Sequence, residues 1–299
     1  MRLAGSDDEL AQSDDNDVLV DPTDSSDNGE RNIQPATDNV LSMFCSDVGS
    51  VDPILLSGTS GPSPRILAIE GQPTELDTVG NDPNARGNYV VFVEEDRARL
   101  KIVELDSGQT VATRTFEGMV ESPSISESGE TVVFVRITEA GSAIVRWQPL
   151  VDQVSVLHDP SGRVSSPAIS NDGRLIAWVE GSSTGEEIYV GEVGSGRIVS
   201  TANWTGIDPS WSPDGKAVAF SGPFNDGRAI FVRSLESGSE KRVSHPADAA
   251  DSSPAWSPTC VIAFIRSTGA SASIWTVDDQ GEKGIGSIGA VTNVSYGWL

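Results

Sequence analysis

The stretch "DPSWSPDGKAVAF", residues 208–220, returns in altered form along the chain, and this recurrence limits the possible folds more than any other feature. Aligned on its turn are "DPNARGNYVVFV" from 82, "SPSISESGETVVFV" from 122, "SPAISNDGRLIAWV" from 166 and "SPAWSPTCVIAFI" from 253. The anchoring prolines, Pro83, Pro123, Pro167, Pro209 and Pro254, stand 40, 44, 42 and 45 residues apart. Such a period demands repeated units, each burying its apolar faces against its neighbours.

Within a unit, an apolar run follows the turn, and a second run of alternating character closes in Ser-Gly or a similar pair, as in "LKIVELDSG" and "AIFVRSLESG". A third run such as "EKRVS" follows. With the short piece before the turn, each unit supplies four strands and no amphipathic helix, which is one propeller blade. The turn itself is structural. Proline presets φ, aspartate bonds backbone amides, and glycine takes the positive φ that lets antiparallel strands reverse. The large residue ahead of it (Ile125, Ile169, Trp211 or Trp256) is expected to bury area against the neighbouring blade.

The Pro-x-Trp-Ser-Pro-Asp-Gly-Lys core at 209–216 and the Ala-Phe strand after it resemble the TolB-like propeller family, whose members typically have six blades. The resemblance runs from about residue 52 to 299. One period beyond Pro254 lies "NVSYGWL", with Tyr296 at the place of Trp211, while "DPILLSG", "PRILAIEG" and "PTELDTV" supply the matching outer runs near the N-terminus. The expected architecture is therefore all-β: a six-bladed β-propeller over 51–299, four antiparallel strands per blade, with the last blade shared between N- and C-terminal strands. Residues 1–50 read as an acidic tail or linker, because Met1–Val40 carry 11 acids against 2 bases and too few apolar residues for a core.

The whole chain has 44 acids and 20 bases, a net charge of -24. That excludes a basic stripe able to displace counterions from nucleic acid. It favours a protein partner with a basic surface or a divalent cation, and equally suits a hydrated monomer. No window approaches the roughly 18 consecutive apolar residues of a membrane helix. "DDNDVLVDPTDS" lacks the central glycine and closing glutamate of an EF-hand. "GIGSIG", 284–289, fits a dinucleotide fingerprint but is followed by too few residues for the helix that must hold the pyrophosphate. "SNDGRLIAW" departs from the sialidase Asp-box because Asp172 and Gly173 are adjacent.

Some propellers with this resemblance are enzymes. Hydrolase relatives carry an added domain, for which this chain has no spare length, and the lyases hold a metal through several histidines, against two here. The chain reads as a non-enzyme without a cofactor. Its candidate binding residues come from the loops that join one blade's outer strand to the next inner strand: Asp82, Glu121, Asp208 and Asp251 ringing one channel mouth, with His158 and His245 on the same face. Asp or Ser before proline is also ordinary turn chemistry. The function expected is an extracytoplasmic binding scaffold that uses one propeller mouth to hold a protein; the alternative is a carbohydrate-active or hydrolytic propeller with an unrecognised site.

"MRLAGSDDEL" has neither a charged n-region nor an apolar h-region, so it shows no export signal. It is similar to the mature junction of a bacterial lipoprotein, with Ser6 where the lipid-bearing cysteine belongs. The family resemblance implies a periplasmic or cell-surface location. In an oxidising compartment the two cysteines, Cys45 and Cys260, are candidates for a disulfide stapling the N-terminal strands to the last complete blade.

Overall fold

The structure is a computed structural model. It describes Leu41, Met43 and the backbone of residues 53–59, 65–70, 72–183, 185–195, 197–200, 204–269, 271–286 and 291–298, with side chains from residue 80 onward apart from a few strand ends. Residues 1–40 lie outside this description.

The strands form four-stranded antiparallel sheets. One joins β1 (Pro53–Thr59), β2 (Arg65–Glu70) and β3 (Gln72–Val79) to β24 (Val291–Trp298), in the order β24-β1-β2-β3. The other five are blades of consecutive strands. Blade one comprises β4 (Asn81–Arg86), β5 (Tyr89–Val93), β6 (Arg99–Glu104) and β7 (Thr110–Thr115); blade two comprises β8 (Met119–Ile125), β9 (Val132–Thr138), β10 (Gly141–Gln148) and β11 (Gln153–His158). Blade three holds β12 (Val164–Ile169), β13 (Leu175–Ser182), β14 (Gly185–Glu192) and β15 (Ile198–Ser200); blade four holds β16 (Ile207–Trp211), β17 (Ala217–Phe224), β18 (Gly227–Ser234) and β19 (Glu240–Arg242). Blade five is β20 (Ala250–Trp256), β21 (Ile262–Thr268), β22 (Ser271–Asp278) and β23 (Gly281–Gly286). The all-β propeller of four-stranded blades is thus present. Five blades are continuous, and the remaining sheet is composite.

Burial follows position in the blade. The second strands, such as "YVVFV" in β5, are apolar without alternation because both faces pack on neighbouring blades, whereas the outer β7 shows exposed and half-buried residues in turn. Ile125, Ile169, Trp211 and Trp256 are buried and pack on the preceding blade: Trp211 against Ala177, Val179 and Ile188, and Trp256 against Ala217, Ala219 and Ile230. Tyr296 takes the same role against Ala255, Ala263 and Ile265, and burial pushes its phenol pKa up.

The reversal at 212–216 shows why its residues recur. Ser212 Oγ donates to Asp214 Oδ1 at 2.8 Å and accepts from Ala217 N at 2.9 Å, and Lys216 N donates to Asp214 Oδ1 at 3.0 Å. Gly215 stands at φ +70, as Gly129 and Gly173 stand at φ +72 in the equivalent turns. Ser170, Asp172 and Leu175 repeat the bonding pattern. In blade five the left-handed position falls to Cys260, at φ 66.

Leu41, which sequence placed in the acidic tail, is instead buried with Val243, Val277 and Trp275, and its N–H donates to Asp279 Oδ1 at 3.2 Å. An apolar side chain at the end of that segment finds a core the segment itself lacks.

Candidate functional site

Every inner strand of the five continuous blades carries the same irregularity. The residue before the anchoring proline adopts a left-handed conformation: Asp82 (φ 50), Ser122 (φ 48), Ser166 (φ 48), Asp208 (φ 53) and Ser253 (φ 50). Strand register shifts at each of these points, a β-bulge that turns the side chain out of the ladder. Together with Asn293 of β24, these residues and the prolines behind them line a cavity of about 230 Å³ on the propeller axis.

Two residues further on, side chains latch each blade to the next. Ile125 N donates to Asn84 Oδ1 at 3.1 Å, Ile169 N to Ser124 Oγ at 3.1 Å and Trp256 N to Ser210 Oγ at 3.2 Å. Where Ala168 has no side-chain acceptor, Trp211 Nε1 donates to its carbonyl at 2.8 Å. The composite sheet joins in: Ala85 N donates to Ser295 Oγ at 3.1 Å, and Asn293 Nδ2 to the Pro83 carbonyl at 2.9 Å.

Of the sequence-derived candidates, the cavity receives two, Asp82 and Asp208, from blades one and four. Asp82 Oδ2 accepts from Ser122 N at 3.4 Å. Asp208 accepts from Ser166 Oγ at 3.1 Å and Ser253 N at 3.2 Å, yet no described basic side chain forms an ion pair with it. Burial pushes its carboxyl above the usual range, against these hydrogen bonds. Its exposed area is modest but real, because the cavity it faces admits water.

Four candidates lie elsewhere. Glu121 sits 3.6 Å from Arg97, off the cavity wall. Asp251 is fully buried: Arg266 Nε and Nη2 donate to its two carboxylate oxygens at 2.7 and 2.8 Å, and Ser244 Oγ donates at 2.6 Å. The guanidinium drew it from the mouth, since a carboxylate there gains two charge-assisted bonds. Arg266 also donates to Glu282 Oε2 at 2.8 Å, and its pKa is raised first by Asp251. His245 Nδ1 is 3.0 Å from Glu282 Oε1. His158 Nε2 meets Glu180 Oε1 at 2.6 Å, which also accepts from Trp178 Nε1. The histidines therefore serve separate blade junctions. Among the described residues no group of three His, Cys, Asp or Glu converges as for a metal.

Sequence reasoning missed Arg86. Its repeat position holds serine in the other four blades, Ser126, Ser170, Ser212 and Ser257, so a column of the repeat alignment would have exposed it. Its buried guanidinium closes the narrow lower part of the channel, about 50 Å³, where Nη1 donates to the Trp256 carbonyl at 3.3 Å. Burial lowers its pKa to about 10, partly offset by Glu127. The pentapeptide Gly181-Ser182-Ser183-Thr184-Gly185 has the letters of a hydrolase nucleophile elbow, but it joins β13 to β14 as a hairpin rather than a strand to a helix.

Cys260 is disulfide-bonded. Cys45 lies outside the described residues.

Residues 152–294 match the TolB beta propeller domain. Curated relatives titled "Tol-Pal system protein TolB" include those of Francisella tularensis subsp. mediasiatica (strain FSC147) and subsp. holarctica (strain OSU18), each 34% identical over 92 residues. That stretch is 29% of this chain and 21% of either relative, so the chain matches about a fifth of their length. Among solved structures, TolB from Acinetobacter baumannii superposes with a TM-score of 0.67 at 17% identity, covering 83% of this chain and 67% of that one. A TolB-titled structure from Agrobacterium tumefaciens gives 0.61 at 17% identity, covering 82% and 92%. At such identities the two superpositions establish the propeller fold. No described helix is long and apolar enough to cross a membrane.

Proposed function

We propose that this chain is a non-enzymatic protein-binding propeller that works outside the cytoplasm and presents the proline-ringed mouth of its channel to a partner. The observation that carries the reading is the cavity between Asp82 and Asp208, where five bulged strands aim polar side chains at solvent instead of at the sheet. The TolB domain match and the Tol-Pal titles of the curated relatives support a binding role of this class. The disulfide at Cys260 supports an oxidising compartment.

The ring on this reading has six blades, the composite sheet of β24 with β1, β2 and β3 being the sixth. Its support is the continuous register from Pro53↔Trp298 to Gly58↔Asn293, together with the bonds from Asn293 and Ser295 to blade one. The mouth's carboxylates suit a basic partner surface or a bound divalent cation.

Photocrosslinking in the native host tests the docking face. A benzophenone amino acid at Ser122, on the mouth, is expected to yield a discrete protein adduct, and the same group at Val156, on an outer strand, is not. Adducts from position 156 and none from 122 would move the interface to the blade edges.

A further inference from the structure

We propose that the channel cavity is a socket for one cationic side chain, a lysine ammonium or arginine guanidinium carried at the tip of the partner, seated between Asp82 and Asp208. The proposal rests on the mouth being the docking face and adds what that face recognises.

Size comes first. A cavity of about 230 Å³ has room for about seven waters at their liquid volume, which suits one long side chain and not a helix roughly 10 Å across. Chemistry comes second. The wall offers carboxylates from Asp82 and Asp208, hydroxyls from Ser122, Ser166 and Ser253, and the Asn293 amide, while no Lys, Arg or His lines it. Such a surface rewards a ligand that carries hydrogen-bond donors and a positive charge.

Asp208 supplies an independent observation. Its side chain is half-buried at the cavity wall, three donors from Ser166 and Ser253 hold its two oxygens, and Arg228 acts on it only from beyond ion-pair distance. A partly desolvated carboxylate with no guanidinium in contact is costly, and a cation arriving through the mouth offsets that cost. The upward pKa displacement of Asp208 is the same cost seen in the proton equilibrium.

Arg86 sets the depth. The lower channel shares Asn84, Ser124 and Ala168 with the upper cavity, so the two are continuous, and the Arg86 guanidinium stands at its end. From Asp82 to Arg86 is four residues of strand, about 13 Å. A cation entering from the aspartate side meets attraction and then repulsion, so it stops at the carboxylates. The socket is open at one end. An organic cation fits better than a metal, because no three ligating side chains converge among the described residues.

The probe is N-acetyl-lysine methylamide, compared with its neutral norleucine analogue and with calcium chloride, each titrated into the whole chain and followed through the Ser122 and Ser253 amide resonances. Saturable shifts are expected with the lysine probe alone. Asp208→Asn should weaken its binding at least tenfold and Asp82→Asn should weaken it too, whereas Glu121→Gln should leave it unchanged. Equal shifts with norleucine, undiminished binding by the Asp208→Asn protein, or a response to calcium alone would overturn the socket. Crosslinking from position 122 without lysine-probe binding would refute the socket and leave the docking face standing. Probe binding with crosslinks confined to position 156 would do the reverse.

Discussion

Asp251→Ala removes one member of the buried Asp251–Arg266 pair and leaves the other in place. The carboxylate is fully buried and the Arg266 side chain only 11% exposed, so solvent cannot take over the lost bonds. Breaking such a pair costs about 3–5 kcal/mol, because the remaining charge is stranded. Arg266 keeps Glu282 at 2.8 Å, and Ser244 Oγ keeps its bond with Ile230 N at 2.7 Å, which places the expected loss near the lower limit, about 3 kcal/mol. For a domain of this size that lowers Tm by roughly 6–12 °C. Circular dichroism melts at low scan rate measure it, with Glu121→Gln, whose carboxylate is only half-buried beside Arg97, as a control expected to move Tm by less than about 2 °C. The doubly substituted Asp251→Leu, Arg266→Met protein should recover most of the loss, since an apolar pair of similar volume replaces both charges. An Asp251→Ala melt within about 2 °C of wild type would refute the buried Asp251–Arg266 pair and return Asp251 to the mouth.

Asp208 behaves oppositely. Because the fold raises its pKa, the folded chain holds that proton more tightly than the unfolded chain, and the resulting stability is present below the ordinary carboxylate pKa and lost as pH rises through the folded value. Relative to wild type, Asp208→Asn should therefore gain stability as pH rises above the ordinary carboxylate pKa in denaturant titrations; a difference that stays flat or falls would count against a desolvated charge at this position. Reduction of the native protein should lower its Tm, with an upper bound of about 5 kcal/mol if the closed loop runs from Cys45 to Cys260. Under reducing conditions Cys260→Gly should exceed Cys260→Ser by about 1 kcal/mol, since φ 66 favours glycine, and equal melts would refute this. A fragment 80–299 loses β1, β2 and β3 and should melt without cooperativity; a sharp calorimetric transition would contradict closure by the composite sheet.

The repeat was legible because its turn residues have few substitutes. Ser212, Asp214 and Gly215 each make a bond or hold a dihedral angle that other residues make poorly, so the letters persist. What the letters could not give was the fate of each acid. Asp208 immediately precedes its anchoring proline, at the bulge, whereas Asp251 stands three residues before Pro254, where Arg266 lies opposite it in the β20–β21 register. Reading that pair requires register, which the bulge before each proline shifts. Leu41 was hidden differently: a lone apolar residue beside an acidic stretch shows no period, and its core belongs to strands more than 200 residues away.

The composite sheet also sets a clock. Strand β1 hydrogen-bonds to β24, whose residues emerge from the ribosome some 240 positions later. At about 5–20 residues per second, the interval is roughly 10 to 50 s, during which β1 keeps one edge unpaired. That edge is open to any other nascent chain, so holding proteins have that interval in which to act. A message broken shortly before β24 yields a protein with nearly all its blades and a permanent sticky edge, which makes the residues from Val291 to Trp298 as important to quality control as any in the core.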